Sequence, residues 1–327
     1  MRILANQNFN FIRWRWHAIA LSLLIIGAGF YAVISRGGLP LGIDFSGGTV
    51  MVLQFDLPTG DQAVRNALAN VAKESVVQQT GERGQNQVMV RLPMIEGTET
   101  TTSIEEGAKL VEDAIRQANV GSFKIIQKDI VGPAIGKDLQ QKGIYATIAS
   151  LLGIMAYIAF RFRLSFGLGA AIASVHDVLV TLSILTLFGY ELSLNVIAAI
   201  LTLTGYGVND QIVVFDRVRE NLRGGRREPM DTVINTSVNQ TLPRTVITAG
   251  VTFLAVLALY LFGGEVLEGF AFTMLVGIIT STYSTIYIAS AVAVVLSPAG
   301  LRAGSAAGPG KAVSPGKAAA AATGRKS

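Results

Sequence analysis

Six long apolar stretches divide this chain, and each is long enough to cross the hydrocarbon core of a bilayer. The backbone finds no water to bond with inside a bilayer, so spanning segments of this kind must be helical. The stretches cover residues 17–34, 144–160, 165–187, 192–215, 244–262 and 267–296. The chain is 50% hydrophobic with a mean hydropathy of +0.48. We therefore predict an integral membrane protein built on an all-α bundle of six transmembrane helices.

The distribution of positive charge predicts the orientation of these helices. Loops rich in Lys and Arg stay in the cytoplasm. Arginines precede the first stretch, separate the second from the third and follow the fourth: Arg13, Arg15, Arg161, Arg163, Arg217, Arg219, Arg223, Arg226 and Arg227. The opposite loops carry acids instead. An even number of spans then places both termini in the cytoplasm, with the first span serving as an uncleaved anchor in the plasma membrane.

A polar segment between the first two stretches, residues 35–141, is large enough for a small domain with its own core. Its periodicity alternates between strand-like and helix-like runs in the order β-α-β-β-α-β, which is the ferredoxin-like plan. Orientation places it outside the cytoplasm, in the periplasm. The predicted organisation is residues 1–34 for the N-terminus and first helix, 35–141 for this α+β domain, and 142–296 for helices two to six.

Residues 297–327 form a tail of Ala, Gly, Pro and Lys with almost nothing to bury, and we predict that it is disordered in the cytoplasm. Its basic residues can touch anionic lipid: Lys311, Lys317, Arg325 and Lys326. The simpler alternative is a solvated extension without a role.

An aspartate and an arginine interrupt the fourth and fifth apolar stretches. Asp210 lies in the fourth, and Arg244 opens the fifth, four residues before Thr248. Charged side chains are costly inside a membrane, so they usually line an ion path or pair across helices. Counting from the loop that joins the two helices places Asp210 and Arg244 in the same half of the membrane, where they can meet. Movement of one helix against the other would then switch the carboxyl between its protonated and charged forms.

A proton relay and a static buried pair both fit these two residues. A static pair would only fix the packing of two helices. Helical spacing puts Asn209 on one face with Thr202 and Gly205, beside Asp210, and small polar residues of this kind indicate close helix contact rather than lipid contact.

The third stretch offers a second acid, Asp177, preceded by His176. Helical spacing puts Asp177 on one face with Ser174 and Thr181. Asp177 can belong to an ion path or hold two helices together by hydrogen bonds. His176 can relay protons near neutral pH, or it can be satisfied by a neighbouring helix.

Several chemistries are not expected from the sequence. The absence of cysteine excludes disulfides, thiolate metal sites and cysteine nucleophiles. The chain has no Walker, H-E-x-x-H or G-x-S-x-G motif, so ATP hydrolysis and proteolysis are not expected. The glycine-rich run at residues 41–49 precedes a strand and lacks G-K-[ST], so we interpret it as a tight structural junction. The net charge of +5 follows from the loops and tail, and does not indicate nucleic-acid binding.

Several motifs, in order along the chain, resemble those of the SecF family, one half of the bacterial SecD–SecF export factors in the resistance-nodulation-division (RND) superfamily. These motifs lie at Leu41–Thr49, Val131–Leu139, Val175–Asp177, Gly205–Asn221 and Asn235–Thr245. The resemblance runs from the first span to about Leu296 and leaves the tail outside. It implies a six-span half-transporter that uses proton influx to promote protein export.

The resemblance also implies partners and site residues. The expected partners are SecD, the SecYEG translocon, the translocating pre-protein and membrane lipids, with YajC as a further candidate. The expected proton path uses Asp210, Arg244 and Thr248, and the secondary candidates are Asp177, His176, Asn209 and Gln240. No cofactor is expected, because an ion gradient supplies the energy; a carboxylate beside hydroxyls can serve protons or sodium. In the family an acid from SecD completes the path.

The chain departs from the family's pattern at two positions beside Asp210. Gly207 stands where the family usually has Ser, and Gln211 stands where it usually has Thr. Two other functions stay open at this point. One is half of an RND-type exporter of small molecules or lipids, for which residues 35–141 leave little room. The other is a scaffold that stabilises a translocon, which would not need a buried acid.

Overall fold

A computed structural model gives the fold of this chain for residues 9–69, 71–72, 75–80, 85–93, 101–161, 164–223 and 228–297. The N-terminal part holds a 3-10 turn, Ile12–Trp14, then α1 Arg15–Ser35, α2 Ile43–Ser46, β1 Gly48–Phe55, α3 Asp61–Leu68, β2 Val76–Thr80, β3 Gln87–Pro93, α4 Thr101–Gln117 and β4 Phe123–Val131. The rest is helical: α5 Pro133–Arg161, α6 Leu164–Phe188, α7 Leu194–Arg223, α8 Met230–Phe262, α9 Glu265–Ser284, a π turn at Thr285–Ala289, and α10 Ser290–Leu296.

The four strands form one antiparallel sheet with the spatial order β2-β3-β1-β4. Along the chain the order is β1-α3-β2-β3-α4-β4, which is the β-α-β-β-α-β order that the sequence predicted. Apolar side chains from one face of the sheet pack with α3 and α4 in a closed core: Met51, Leu53, Phe55, Val64, Leu68, Val77, Val88, Val90, Ala108, Val111 and Ile115. This sheet domain therefore has its own hydrophobic core.

Five helical segments in the described residues are long and apolar enough to cross a membrane: Ile12–Ser35, Ser165–Phe188, Leu194–Arg223, Met230–Phe262 and Val266–Leu296. They correspond to five of the six predicted spans. The remaining predicted span, residues 144–160, lies within α5, which is continuous over 29 residues but is not among the five. The described part of the chain is thus mostly helical, with a small sheet domain inserted after the first membrane helix.

The helix that carries Arg244 is longer than the sequence predicted. In the sequence, residues 228–234 are typical of a short interfacial helix with Pro229 in its first turn, and the fifth predicted span begins only at residue 244. Instead, Pro229 precedes the first residue of α8, and the helix runs unbroken through Pro243 to Phe262. A proline removes one backbone hydrogen bond, and neighbouring helices can keep such a helix continuous. The prediction of a separate short helix is wrong.

A junction joins the sheet domain to the connection between α6 and α7. Leu41 forms a parallel bridge with Leu192, and the Gly42 amide donates to the Leu192 carbonyl at 2.7 Å. Gly47 then turns the chain into β1 with φ +73°, a conformation that side chains rarely adopt. The glycine-rich run is therefore a structural junction, as we predicted.

Arg91 of β3 strengthens this junction. Both of its terminal nitrogens contact the carboxylate of Glu191, which lies between α6 and α7. Burial lowers the pKa of Arg91, and the nearby carboxylate of Asp44 partly offsets this effect. The sheet domain is thus bound to the membrane helices by an ion pair as well as by the chain.

Some predictions fall on parts of the chain that the structure does not describe. The predicted disordered tail lies outside the described residues from residue 298 onward, together with its four basic residues. The arginines at positions 163, 226 and 227, which contributed to the predicted orientation, also lie outside them.

Candidate functional site

The acid Asp210 lies on the buried side of α7. Its residue is 4% exposed, and Gly207, Gln211 and Val214 are buried on the same side of the helix. Residues three and four apart lie on one face of a helix, so the side chains at these positions point into the bundle. The membrane-length helix α7 therefore carries a carboxyl group in its packed core.

The Asp210 carboxyl has few partners inside the described protein. Its Oδ2 atom is buried and accepts no hydrogen bond from the described residues. The charge of Arg244 acts on Asp210 through space, yet the two residues make no ion pair within 4.0 Å in the part of the chain that the structure describes. Asp210 and Arg244 are therefore close enough to interact electrostatically, but they form no ion pair within the described residues.

Arg244 and Thr248 lie on the outer side of α8. The Arg244 side chain is exposed, and Thr248 is half-buried with its hydroxyl donating to the Arg244 carbonyl at 2.8 Å. A polar stripe runs along α8 through Ser237, Thr241, Arg244 and Thr248. Ser237 and Thr241 are buried and bond to carbonyls of their own helix, whereas Arg244 points outward. The stripe therefore passes from the inside of this chain to its surface.

Helix α7 also carries polar and small residues that are exposed on the surface of this chain. Thr202, Gly205 and Asn209 are all exposed, although they lie in a membrane-spanning segment. Polar side chains in a membrane avoid lipid and usually face protein or water. We call the set Thr202, Gly205, Asn209, Arg244 and Thr248 the open polar face. It places the secondary candidate Asn209 outside the core that holds Asp210.

The second predicted acid, Asp177, is buried between α6, α7 and α9. It is 4% exposed, and its Oδ1 atom lies 3.2 Å from Nδ1 of His176. Ser284 of α9 lies near the same carboxyl, and its hydroxyl donates to the Ser281 carbonyl at 3.1 Å. His176 lies against Tyr283 with ring centroids 6.3 Å apart. Asp177 and its helix neighbours Ser174 and Thr181 are all buried, so the face that the sequence predicted does point into the bundle.

Gly207 allows α9 to approach α7 closely. A Cβ atom added at Gly207 would lie 2.5 Å from Oγ of Ser281 and 3.5 Å from Oδ2 of Asp177. The space that a serine at position 207 would need is therefore taken by a serine from α9. This departure from the family's pattern keeps a hydroxyl beside Asp177 but supplies it from another helix.

Gln240, the last secondary candidate, belongs to a different cluster. Its Oε1 atom accepts hydrogen bonds from Arg217 at 2.6 Å and from Asn221 at 2.9 Å. Arg217 lies seven residues beyond Asp210, which is about two helical turns away along α7. Gln240 therefore binds the ends of α7 and α8 together and does not contact Asp210.

Sequence reasoning missed the contribution of the last span. Ser281 and Ser284 bring hydroxyl groups to Asp177, and Tyr283 donates to the Ala18 carbonyl of α1. A visible signal was the run Thr280–Thr285, in which five of six residues are Ser or Thr and the sixth is Tyr, inside an apolar segment. Among the described residues, no group of three His, Cys, Asp or Glu side chains is placed to hold a metal ion.

A bundle of membrane-length helices with two buried acids and an inserted α+β domain defines a class: membrane transport subunits that move charge or cargo, rather than anchors. The chain matches the family described as "Protein export membrane protein SecD/SecF, C-terminal" over residues 110–299 and the "SecD/SecF GG Motif" over residues 33–56. It belongs to the SecF family of protein translocase subunits.

Relatives named "Protein translocase subunit SecF" support this assignment. The relative from Desulfurispirillum indicum is 41% identical over 88% of this chain and 91% of its own length. The relative from Escherichia coli O157:H7 is 40% identical over 88% of both chains. These proteins are translocase subunits by name.

Two solved structures share the fold. SecDF from Thermus thermophilus, described as a translocon-associated membrane protein, has a TM-score of 0.78 at 35% identity and covers 90% of this chain. SecDF in a super-membrane-facing form has a TM-score of 0.63 at 34% identity. This chain spans 39% of the length of each of those chains. The arrangement of its elements is closer to the first structure than to the second.

Proposed function

We propose that this chain is an accessory subunit of the Sec translocase that uses the proton-motive force to promote protein export across the bacterial inner membrane. It acts as the SecF half of a SecD–SecF complex, beside the SecYEG translocon and the translocating pre-protein, with YajC as a further candidate partner. The chain is a transport subunit rather than an enzyme. The names of its relatives and its match to SecDF structures support this role.

The observation that carries the proposal is the state of Asp210. Its carboxyl is buried in a membrane helix, and one oxygen has no hydrogen-bond partner among the described residues. A static pair would instead need close contact with a base, because a buried charge is stable only when it is paired and hydrogen-bonded. Asp210 is thus free to take up and release a proton as its surroundings change.

Arg244 and Thr248 tune this exchange from α8. Because Arg244 acts on Asp210 through space, a small approach of α8 favours the charged carboxylate, and a small retreat favours the protonated acid. Thr248 lies one turn further along α8 and helps to pass the proton. The energy is sufficient, since each charge that crosses a potential of 100 mV yields roughly 2.3 kcal/mol.

The open polar face is where we place SecD. Asn209, Gly205 and Arg244 are exposed in this chain at membrane depth, and a second bundle of helices would cover them. An acid from SecD would then face Arg244 from the other side. The chain alone therefore holds one half of the proton path.

The membrane arrangement forms part of the proposal. Six helices cross the inner membrane, with α5 as the second, and both termini lie in the cytoplasm. The sheet domain then lies in the periplasm. The described arginines at the ends of α1, α5 and α7, such as Arg13, Arg161 and Arg217, support this orientation through the preference of basic residues for the cytoplasmic side.

Two alternatives make different predictions. An RND-type exporter of small molecules or lipids would need a ligand-binding outer domain, but the sheet domain fills its interior with the side chains of its own core. A structural scaffold would tolerate neutralisation of Asp210. Sodium in place of protons would leave the role of Asp210 intact and change only the gradient to which export responds.

The test measures export of a pre-protein into vesicles that contain this chain and SecD, with and without a proton gradient. We compare native protein with Asp210→Asn, and use Asp231→Asn as a control because Asp231 is an exposed acid whose hydrogen bonds within the described residues are to its neighbour Thr232. Stimulation by the gradient should be lost in Asp210→Asn and kept in the control. If both variants respond like native protein, Asp210 is structural and the proposal fails. A sodium gradient run in parallel identifies the coupling ion.

A further inference from the structure

Several polar side-chain atoms in the bundle core are buried without a hydrogen-bond partner in the described protein. Apart from Asp210 and the hydroxyl of Tyr206, they come from α6, α7, α9 and the π turn that follows α9, and they include both atoms of one amide: Oγ1 of Thr181, Nε2 of His176, Nε2 and Oε1 of Gln211, Oγ of Ser281 and Oγ1 of Thr285. The residues are 0–9% exposed. A buried polar group without a hydrogen-bond partner destabilises a folded protein, so a cluster of this size requires an explanation.

These atoms belong to facing surfaces of α6, α7 and α9. On each helix the relevant residues are four apart and share one face, namely Asp177 with Thr181, Gly207 with Gln211, and Ser281 with Thr285. The geometry at Gly207 ties the three faces together, because one point beside its Cα lies 2.5 Å from Ser281 Oγ and 3.5 Å from Asp177 Oδ2. Because α6 runs antiparallel to α7 and α9, Gln211 and Thr285 lie one turn from the level of Asp177 towards one end of the bundle, and Thr181 lies one turn towards the other end. Gln211, Ser281 and Thr285 are therefore neighbours along one seam beside Asp177.

The mixture of donors and acceptors in this seam identifies its ligand. Gln211 presents both an N–H donor and a carbonyl acceptor without a partner, and the hydroxyls of Ser281 and Thr285 can do either. A metal cation would satisfy only the acceptors. Water satisfies both, and a buried water typically makes about three hydrogen bonds to such groups.

We propose that α6, α7 and α9 enclose an internal water site, built by Gln211, Ser281 and Thr285, that hydrates the carboxyl of Asp177. This site is separate from Asp210, which interacts with Arg244 of α8 instead. Water at Asp177 gives the chain a second acid that can exchange a proton inside the membrane. The site itself does not depend on proton-driven export, so it can fail or stand independently of that function.

The test is water-edited solid-state NMR on the full chain with SecD in lipid vesicles, with ¹³C-labelled aspartate and isoleucine. This measurement follows the transfer of ¹H polarisation from water to each carboxyl carbon. Asp177→Asn identifies the signal of Asp177 by its loss. The carboxyl of Asp177 should gain polarisation much faster than the methyl carbons of Ile200, which is 2% exposed and lies in an apolar cluster.

Two variants then locate the water. Gln211→Leu keeps the approximate volume but removes the donor and acceptor, so transfer to Asp177 should slow towards the rate of Ile200. Thr204→Val is the matched control on the same helix, because the Thr204 hydroxyl is buried but already donates to the Ile200 carbonyl at 2.6 Å. This control should leave the transfer unchanged.

Two results would overturn the proposal. If the native Asp177 carboxyl receives polarisation as slowly as Ile200, the seam is dry. If transfer is fast but Gln211→Leu leaves it unaltered, the water reaches Asp177 by another route. The first comparison uses native protein, with Asp177→Asn needed only for assignment, so it holds even if Gln211→Leu fails to fold.

Discussion

Gly207 of α7 and Ser281 of α9 approach so closely that a side chain at position 207 would have to displace the Ser281 hydroxyl. A Cβ at position 207 would meet Ser281 Oγ at 2.5 Å and Cβ at 3.3 Å. The same contact lies beside the Asp177 carboxyl. Helix packing and the polar core of the bundle therefore depend on the same pair of residues.

We expect Gly207→Ala to destabilise the protein by about 1–3 kcal/mol, the usual cost of overpacking a core. Ser281→Gly in the same chain should restore much of the loss, because it removes the atoms that the new methyl group meets. Gly205→Ala is the control, since a Cβ there meets nothing within 4 Å. Thermal unfolding of the purified variants measures the effect. Equal stability of Gly207→Ala and Gly205→Ala would contradict the close approach.

Arg244→Gln should leave the stability of this chain nearly unchanged but abolish stimulation of export by the gradient. The reason is that Arg244 is exposed and makes no ion pair with Asp210 within the described residues. Removing one partner of a buried ion pair typically costs about 3–5 kcal/mol. Unfolding measurements and the vesicle export assay, made on the same preparation, separate the two effects. A loss of stability on that scale would show that Arg244 and Asp210 form a structural pair.

Glu191→Gln should loosen the attachment of the sheet domain to the membrane helices. Arg91 is largely buried and both of its terminal nitrogens contact Glu191, so the substitution leaves a guanidinium without its counter-charge. Hydrogen exchange should increase at Leu192 and Gly42, whose amides bond across the junction. Glu112→Gln removes the half-exposed pair with Arg116 and should change exchange little, because such surface pairs contribute about 0–1 kcal/mol. Unaltered exchange in Glu191→Gln would mean that the bridge at Leu41 and Leu192 is sufficient alone.

Gly47→Ala should destabilise the junction by roughly 1–3 kcal/mol, because φ +73° with ψ 163° is a conformation that side chains adopt only under strain. Gly132→Ala, at a glycine with no neighbour within 4 Å and no unusual φ, is the matched control. Limited proteolysis between α1 and β1 measures the local opening. If both variants resist protease equally, the turn at Gly47 tolerates a side chain.

The sequence predicted five of the six membrane-length helices and the two buried acids, because both features depend on local composition. The two ends of α6 and the start of α7 lie within two residues of the predicted ends, whereas α7 continues eight residues beyond its predicted end. The order of strands and helices in the sheet domain follows the periodicity of its sequence. Asp177 and Asp210 were identified because charges in apolar runs are rare.

The remainder depends on contacts between distant segments. The continuity of α8 through Pro243 depends on packing around the proline, which its neighbours in sequence do not determine. The exposure of Arg244 depends on how all the helices pack together. Counting residues along the sequence therefore could not decide whether Arg244 pairs with Asp210. Ser281 lies beside Asp177 because Gly207, 74 positions earlier in the sequence, leaves space for it. A local sequence pattern cannot show a contact between such distant residues.

Within the described residues, the sheet domain meets the helical bundle at the segment before β1, at the step from β4 into α5, and at the contact of Arg91 with Glu191. A body tethered at two points can still swing about the line between them. A third tether off that line removes the last rotation. Glu191 lies in the connection between α6 and α7, and β4 continues into α5. We therefore expect a shift of α7 relative to α5 to change the tilt of the sheet domain.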